Sequence, residues 1–447
     1  MRENSKRFLV HILSAALAAS MAVQPALAAG SPVLPEGYHS PFSDVGENQW
    51  FYPYVSALNS QGVIAGYPDG RFGPDDATRA GDAMIMLLKA AGCGTIEPPQ
   101  DAHYATGYQS YAVNKGWMSW EQVPDLNAPI SRLLIARLAA QAVGLQPSAS
   151  QSPFVDLDDS YVTALYEAGM ISGVWERDAL FFHPERSITR AQISAVVWQV
   201  QRYAGSIHFG SYVLEVLPGV PVNPYDPAAF RLRGDRMTYT GNGIKADLGV
   251  DVSYHQGEIN WRQVARDGIS FAMIRAGGRY YGLNSGTIFE DSQFKNNMQG
   301  ALEAGLDTGV YFFSQAITVE EAEEEARFLL ELLKGYEFTG PVVFDWENID
   351  YDTARTDGVD SATVTAMANA FCQIVEGAGY RPMIYFNRYI AYLLYDLEEV
   401  DQYPFWLAEY GQTPQFYYGF QIWQYTDKGR VDGIQGGVDM NIRLTPQ

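Results

Sequence analysis

Between residues 40 and 205 the chain runs through one pattern three times, and this forces a stacked architecture on the stretch, since a single short helix-turn-helix unit cannot bury its own apolar face. The first copy, residues 40–95, holds Phe42, Asp44 and Val45, then Trp50, then Gly66-Tyr67-Pro68-Asp69-Gly70-Arg71-Phe72-Gly73-Pro74 and Thr78-Arg79-Ala80. The third, residues 150–204, holds Phe154, Asp156 and Leu157, then Gly169-Met170-Ile171-Ser172-Gly173, Phe182-His183-Pro184 and Ile188-Thr189-Arg190-Ala191. The middle copy, residues 96–148, keeps Lys115-Gly116-Trp117-Met118 and Pro129-Ile130-Ser131-Arg132 but has lost the glycine-rich turn. Each copy predicts a helix, a glycine turn, an extended loop and a second helix, with Thr or Ser placed before Arg to cap it.

Residues 205–243 break this pattern with Pro218, Pro221, Pro224 and Pro227 and read as a linker, although 230–239 has the composition of an added strand or hairpin. From 244 to 447, strand-like runs at 248–253, 270–275, 307–313, 341–345, 382–385, 405–409 and 420–425 alternate with helix-like runs, notably 319–333 and 361–376. The later strands leave little room for helices between them. The expected fold is therefore multi-domain: an all-α repeat bundle followed by an α/β (β/α)-barrel with incomplete helical decoration.

Arg2, Lys6 and Arg7, an apolar run from Phe8 to Val23 and the small-residue end Ala26-Leu27-Ala28 give residues 1–28 the order of a secretory signal peptide. No later stretch approaches membrane-spanning length, so no membrane association is expected after cleavage. The formal charge of −22 argues against nucleic acid as a partner, because phosphate binding needs clustered Lys and Arg. Cys93 and Cys372, the only cysteines, fall in different modules and read as buried or incidental thiols.

Elimination narrows the chemistry of the second module. His255 is its only histidine, which excludes a histidine-rich zinc site, and no phosphate-cradling glycine loop followed by Lys and Ser or Thr is present. Carboxylates at strand ends remain. In Val342-Val343-Phe344-Asp345-Trp346-Glu347 two acids stand at i and i+2, hence on one face of an apolar strand. Close like charges raise at least one pKa, which keeps a proton available near neutral pH beside an ionised carboxylate, the arrangement that glycoside hydrolysis needs. Asp251 in the first strand and Asp439 in the last follow the same strand-end rule. The aromatics Tyr311, Phe313, Trp346, Tyr385, Trp406, Tyr410, Trp423 and Tyr425 cluster in sequence around these acids and serve either as barrel packing or as faces for sugar rings.

Two resemblances follow from these residues. Gly249-Val250-Asp251-Val252-Ser253, Gln256-Gly257 and Trp261, Phe271 to Gly277, Gly309-Val310-Tyr311, Phe344 to Glu347, Trp406 to Tyr410, Ile422 to Tyr425 and Val438-Asp439-Met440-Asn441 resemble, in order, glycoside hydrolase family 25, the Chalaropsis-type lysozymes. The resemblance implies hydrolysis of the β-1,4 bond between N-acetylmuramic acid and N-acetylglucosamine in peptidoglycan glycan strands, with no metal or organic cofactor. It implies Glu347 as general acid, Asp345 as its carboxylate partner, and Asp251 and Asp439 as electrostatic or substrate-orienting groups. Tyr311, Phe313, Arg275, Tyr385, Trp406, Tyr410, Gln424 and Tyr425 become expected substrate contacts, and retention or inversion stays open. Asn260 and Glu409 depart from residues common in the family, Asp and His respectively. The repeats resemble S-layer homology repeats, which implies anchoring to secondary cell-wall polysaccharide at the surface of a Gram-positive-type cell, through Arg79, Arg132, Arg190 and Trp50. The competing reading is a non-catalytic wall-binding or S-layer structural protein whose barrel is lectin-like.

Overall fold

The computed structural model describes residues 32, 34, 38–210, 212–282, 286–349 and 353–446; the expected signal segment lies outside the described residues. Two compact units are present, one ending at Glu215 and one beginning at Val216.

The first unit contains α1 (Tyr52–Ser60), α2 (Ala80–Ala90), α3 (Thr106–Asn114), α4 (Arg132–Ala142), α5 (Ser160–Glu167) and α6 (Arg190–Ala204) around a single apolar core. Its centre is a cyclic set of backbone hydrogen bonds, one from each copy to the next: Thr78 N to Ile188 O at 2.9 Å, Ile188 N to Ile130 O at 3.1 Å and Ile130 N to Thr78 O at 3.1 Å. The same exchange satisfies N–H groups that the first turn of a helix leaves without partners. Ala80 and Gly81 of α2 donate to Ala128 and Leu126, Arg132 and Leu133 of α4 to Arg186 and Pro184, and Arg190 and Ala191 of α6 to Asp76 and Pro74. Ser131 and Thr189 cap α4 and α6 through their side chains as expected, whereas α2 starts at Arg79 with no side-chain cap. The Phe-x-Asp motif has a local cause: Asp44 accepts from Phe72 N and Gly73 N at 2.7 and 2.8 Å, and Asp156 accepts from Phe182 N and His183 N at the same distances.

This unit is not the all-α bundle expected from sequence. Strands β1 (Val174–Glu176) and β2 (Ala179–Phe181) form an antiparallel hairpin inside the third copy, and β3 (Ile207–Phe209) and β4 (Tyr212–Leu214) form another after α6. The short loop between helices has to reverse, and Arg177, at φ 54°, takes the left-handed conformation that lets Trp175 and Leu180 pair.

The second unit corrects the other half of the expectation. After the hairpin β5 (Phe230–Arg233) and β6 (Arg236–Tyr239), strands β7 (Ile244–Val252), β8 (Phe271–Arg279), β10 (Asp307–Ser314), β11 (Val342–Trp346), β12 (Pro382–Asn387), β13 (Phe405–Ala408), β14 (Ile422–Gly429) and β15 (Val438–Pro446) close in that order into an eight-stranded β-barrel, with β9 (Ile288–Glu290) added beside β8. It is a mixed barrel: β15 is antiparallel to both β14 and β7. Helices α7 (Trp261–Arg266), α8 (Phe294–Glu303), α9 (Val319–Leu332), α10 (Ser361–Gly377) and α11 (Arg388–Leu393) lie between strands only as far as β13. The connection after β13 crosses to the parallel β14 without a helix, and the connection from β14, which ends at Gly429, to β15, which starts at Val438, is too short for a crossover, so β15 returns antiparallel.

Part of the expected linker belongs to this barrel. Leu217 N donates to Tyr418 Oη at 2.8 Å, Asn223 N to Tyr417 O at 2.9 Å and Gly419 N to Pro221 O at 2.8 Å, which straps 217–223 along the segment entering β14. The hairpin then packs Phe230 against Trp423 with ring centres 5.2 Å apart, and Tyr225 against Phe420 at 5.1 Å. At the lower end of the barrel Arg443 pairs with Asp247 and Asp307 and lies 4.7 Å from the Phe271 ring centre. A side chain at Gly249 would meet that ring at 2.4 Å, so glycine is what lets Phe271 fill the interior.

Phe230 is buried where no helix covers the barrel. Phe230→Ala is expected to destabilise the second unit by about 3–5 kcal/mol, the usual result of emptying a buried phenylalanine site. Calorimetry of the full chain should show the barrel transition falling while that of the repeat unit stays in place.

Candidate active site

The barrel interior follows from strand alternation. Met273, Val343, Met383, Tyr385, Trp406, Ala408 and Ile422 form an inner cluster with Tyr311 against it. Continuing each strand by two residues towards its C-terminal end brings Asp345 and then Glu347 on β11, Arg275 on β8, Phe313 on β10 and Gln424 on β14 to the same end. Asp251 arrives there on β7, and Asp439, at the N-terminal end of the reversed β15, stands opposite it in register. The four acids expected from sequence are thus gathered at one end of one barrel.

Their surroundings differ. Asp251 is 5% exposed, and its Oδ2 accepts from Gln424 Nε2 at 2.9 Å and Asn441 Nδ2 at 2.7 Å. Burial raises its pKa while these donors oppose the rise. Asp439 is pushed up to about 9 by burial and by the Asp251 charge beside it. Asp345 is 4% exposed with Oδ1 lacking a hydrogen-bond partner, and burial together with the Glu347 charge holds its carboxyl well above the usual range. Each pair therefore retains a proton near neutral pH, and the two pairs together can both donate a proton and stabilise positive charge developing on a sugar ring.

Glu347 is held from the backbone side. Gln315 Nε2 donates to Glu347 O at 2.7 Å, and Trp346 Nε1 donates to Ala316 O at 2.9 Å, which fixes the end of β11 against the segment leaving β10. Behind that segment Ser314 Oγ donates to the buried Glu325 at 2.5 Å, and Arg279 Nε donates to the same carboxylate at 2.6 Å. Arg275 is turned aside to Asp291 at 2.8 Å, and its guanidinium lies 4.9 Å from the Tyr254 ring centre at the barrel rim.

Comparison with known proteins agrees with this geometry. The family model for glycosyl hydrolases family 25 matches residues 250–434. The uncharacterized protein YegX of Escherichia coli (strain K12) is 30% identical over 203 residues, covering 43% of this chain and 68% of that protein. The chain belongs to glycosyl hydrolase family 25. Lysozyme M1 of Streptomyces globisporus is 28% identical over 267 residues, 53% of this chain and 88% of that protein. The solved structure of the modular autolysin LytC from Streptococcus pneumoniae is 23% identical with a TM-score of 0.40, covering 53% of this chain and 52% of that one, so the chain spans about half the length of that autolysin. The S-layer homology domain model matches residues 41–80, the first copy alone.

Not every expected contact reaches the family 25 site. Tyr385 and Gln424 do, joined at 3.1 Å, and Tyr410, 57% exposed, overhangs them with its hydroxyl 3.4 Å from Gln424 Oε1. Tyr311 and Phe313 line the inner wall, with Tyr311 Oη 3.5 Å from Val252 O. Trp406, 1% exposed, lies beneath the acids against Tyr311 and Tyr385 and has no face open to a sugar. Tyr425 has the opposite parity to Gln424 and points outward, donating to Asp235 O at 2.8 Å. In the repeat unit, Arg132 and Trp50 line one cleft with Tyr54, Phe182 and Gln192. Arg190 instead donates to Phe72 O and Ala65 O of the first copy, and Arg79 is exposed.

Asn441, Gln315 and Asp291 escaped sequence reasoning. Asn441 was within its reach, because it shares a strand face with Asp439 two residues earlier; the other two are reached only through tertiary contacts. Glu409, one of the family departures, accepts from Gln415 N and Phe416 N and shapes the loop after β13, while Asn260 caps α7.

Buried Glu325 is raised to about 7 from an ordinary 4.5, chiefly by burial. The folded barrel thus binds this proton more tightly than the unfolded chain, and the associated stability is present below pH 4.5 and lost as pH rises through 7. Urea unfolding is expected to find the barrel more stable at pH 5 than at pH 8, with Glu325 accounting for on the order of 3 kcal/mol, and Glu325→Gln should flatten that slope.

Proposed function

We propose that the barrel is a lysozyme-type N-acetylmuramidase, cleaving the β-1,4 bond between N-acetylmuramic acid and N-acetylglucosamine in peptidoglycan. The observation that carries this reading is the proton-sharing pair Asp345 and Glu347 at the open end of a family 25 barrel. Glu347, the more exposed of the two, is the general acid that protonates the leaving oxygen, and Asp345 is the carboxylate that supports the developing charge. Asp251 and Asp439 orient the sugar, with Tyr385 and Tyr410 beside them. The names of relatives such as Lysozyme M1 support peptidoglycan as the polymer.

In the same reading the protein is secreted and held at the surface of a Gram-positive-type cell, and the repeat unit binds secondary cell-wall polysaccharide. The cleft that holds Arg132 with Trp50 suits an anionic sugar substituent: burial and the nearby Arg186 bring Arg132 down to about 10, so it is still cationic at neutral pH, and aromatic faces stand around it.

The test is product release from purified peptidoglycan by the full chain. Wild type is expected to release muramic-acid reducing ends, and Glu347→Gln to lose at least about a thousandfold in rate while still binding the polymer, as removal of an essential proton donor does. Binding without release by the wild type, on walls of several chemistries, would replace this reading with a lectin-like barrel.

A further inference from the structure

At the floor of the acid cluster the Asn441 amide can face only one way. The indole N–H of Trp406 is a donor with no acceptor capacity, and it lies 2.8 Å from Asn441 Oδ1. The amide nitrogen is thereby turned to Asp251, where it donates to Oδ2 at 2.7 Å. Gln424 converges from the next strand: its Oε1 faces the hydroxyls of Tyr385 and Tyr410, and its Nε2 donates to the same Asp251 oxygen at 2.9 Å. Two N–H donors aimed at one buried oxygen make a seat for an anion. Asp439 lies across from Asp251 in register, its carboxyl in hydrogen-bonding contact, and among the described residues it has no comparable pair of amides.

We propose that Asn441 and Gln424 are positioning residues that keep Asp251 as the carboxylate and Asp439 as an un-ionised carboxyl that donates its one proton to Asp251, so that Asp439 meets the sugar without a second negative charge. The substrate group this fits is a hydrogen-bond donor, such as an N-acetyl N–H or a ring hydroxyl, which the neutral carboxyl's remaining oxygen accepts. The inference rests on the muramidase reading for its substrate, but the protonation order stands on the amide geometry. Other charged or titratable groups facing the pair are Asp427 on β14, Asp345 on β11 and Glu347 just after it, Arg275 on β8, and the hydroxyls of Tyr311, Tyr385 and Tyr410. Arg275, the cation of this set, is already paired with Asp291.

The order of protonation is measured without substrate by carbon NMR of the full chain labelled at aspartate carboxyls. The signal of one aspartate that stays protonated through pH 7 is expected to vanish in Asp439→Asn, while that of Asp345, whose carboxyl is also held well above the usual range, stays in place. In Asp251→Asn, where the neighbouring charge is gone, Asp439 should titrate at least about one pH unit lower. An Asp439 that titrates with the ordinary carboxylates in wild type, or is unmoved by Asp251→Asn, overturns the proposal. For the amides, Gln424→Met keeps side-chain length but removes the donor. Asp251 should then take up its proton about one pH unit higher, and the acid limb of the activity profile should move up with it while the alkaline limb stays. A profile lowered in height with both limbs unmoved would make Gln424 a packing residue and nothing more. If the carboxyls titrate as expected but peptidoglycan is not cut, the protonation order stands and the muramidase reading falls.

Discussion

Four carboxyl groups at one end of a closed barrel set the terms for the rest of this unit, because a carboxylate out of water is costly unless it is neutralised or given donors. The structure uses both remedies. Asp251 receives two amide N–H groups, Asp439 is held protonated beside it, and Asp345 shares a proton with Glu347. The residues below must then serve these groups instead of merely filling space. That is why a tryptophan indole at the barrel floor ends on an asparagine oxygen and a tyrosine hydroxyl ends on a glutamine oxygen. An apolar core of the same volume would leave the amides free to rotate and the acids without a fixed order of charge.

The second constraint is closure. A barrel has no free edges, but its outer face still needs an apolar cover, and helices supply that cover only as far as β13. Where β15 returns antiparallel, the strap from Leu217 and the hairpin at Phe230 to Tyr239 take over, placing Tyr225 against Phe420 and Phe230 against Trp423, with Tyr239 packed on Tyr225 and Phe230. Tyr425 closes the join by donating to a carbonyl of the hairpin turn. What the proline content marks as a connection is, over its second part, a wall of the catalytic unit.

The shared placement of the four acids was legible in the sequence for a definite reason: strand parity is strictly local, so Asp345 with Glu347, Asp251 and Asp439 could each be assigned a face from their own neighbours. The same rule separates Gln424 from Tyr425, and applying it there would have kept Tyr425 out of the set of sugar contacts. The direction of β15 was not legible, because it depends on what a short connection cannot do. Nor was the burial of Trp406, since an aromatic at a strand end reads alike whether it stacks on a sugar or orients an amide. The hairpin at Val174 to Phe181 is too short to announce itself against the helical periodicity around it.

The repeat unit shows why the middle copy can be so worn in sequence and still take its place. The ring is closed by backbone groups of Thr78, Ile130 and Ile188, and backbone hydrogen bonds do not depend on side-chain identity. Side chains are therefore free to diverge, and they have. Arg190 spends its donors on Phe72 O and Ala65 O, and Arg132 gives its Nε to Phe182 O, so two equivalent arginines act first as rivets between copies. Arg132 differs in that its joint also opens onto a cleft beside Trp50, whereas Arg79, facing the copy that lost its glycine turn, is exposed. A symmetric backbone thus carries three chemically unequal joints.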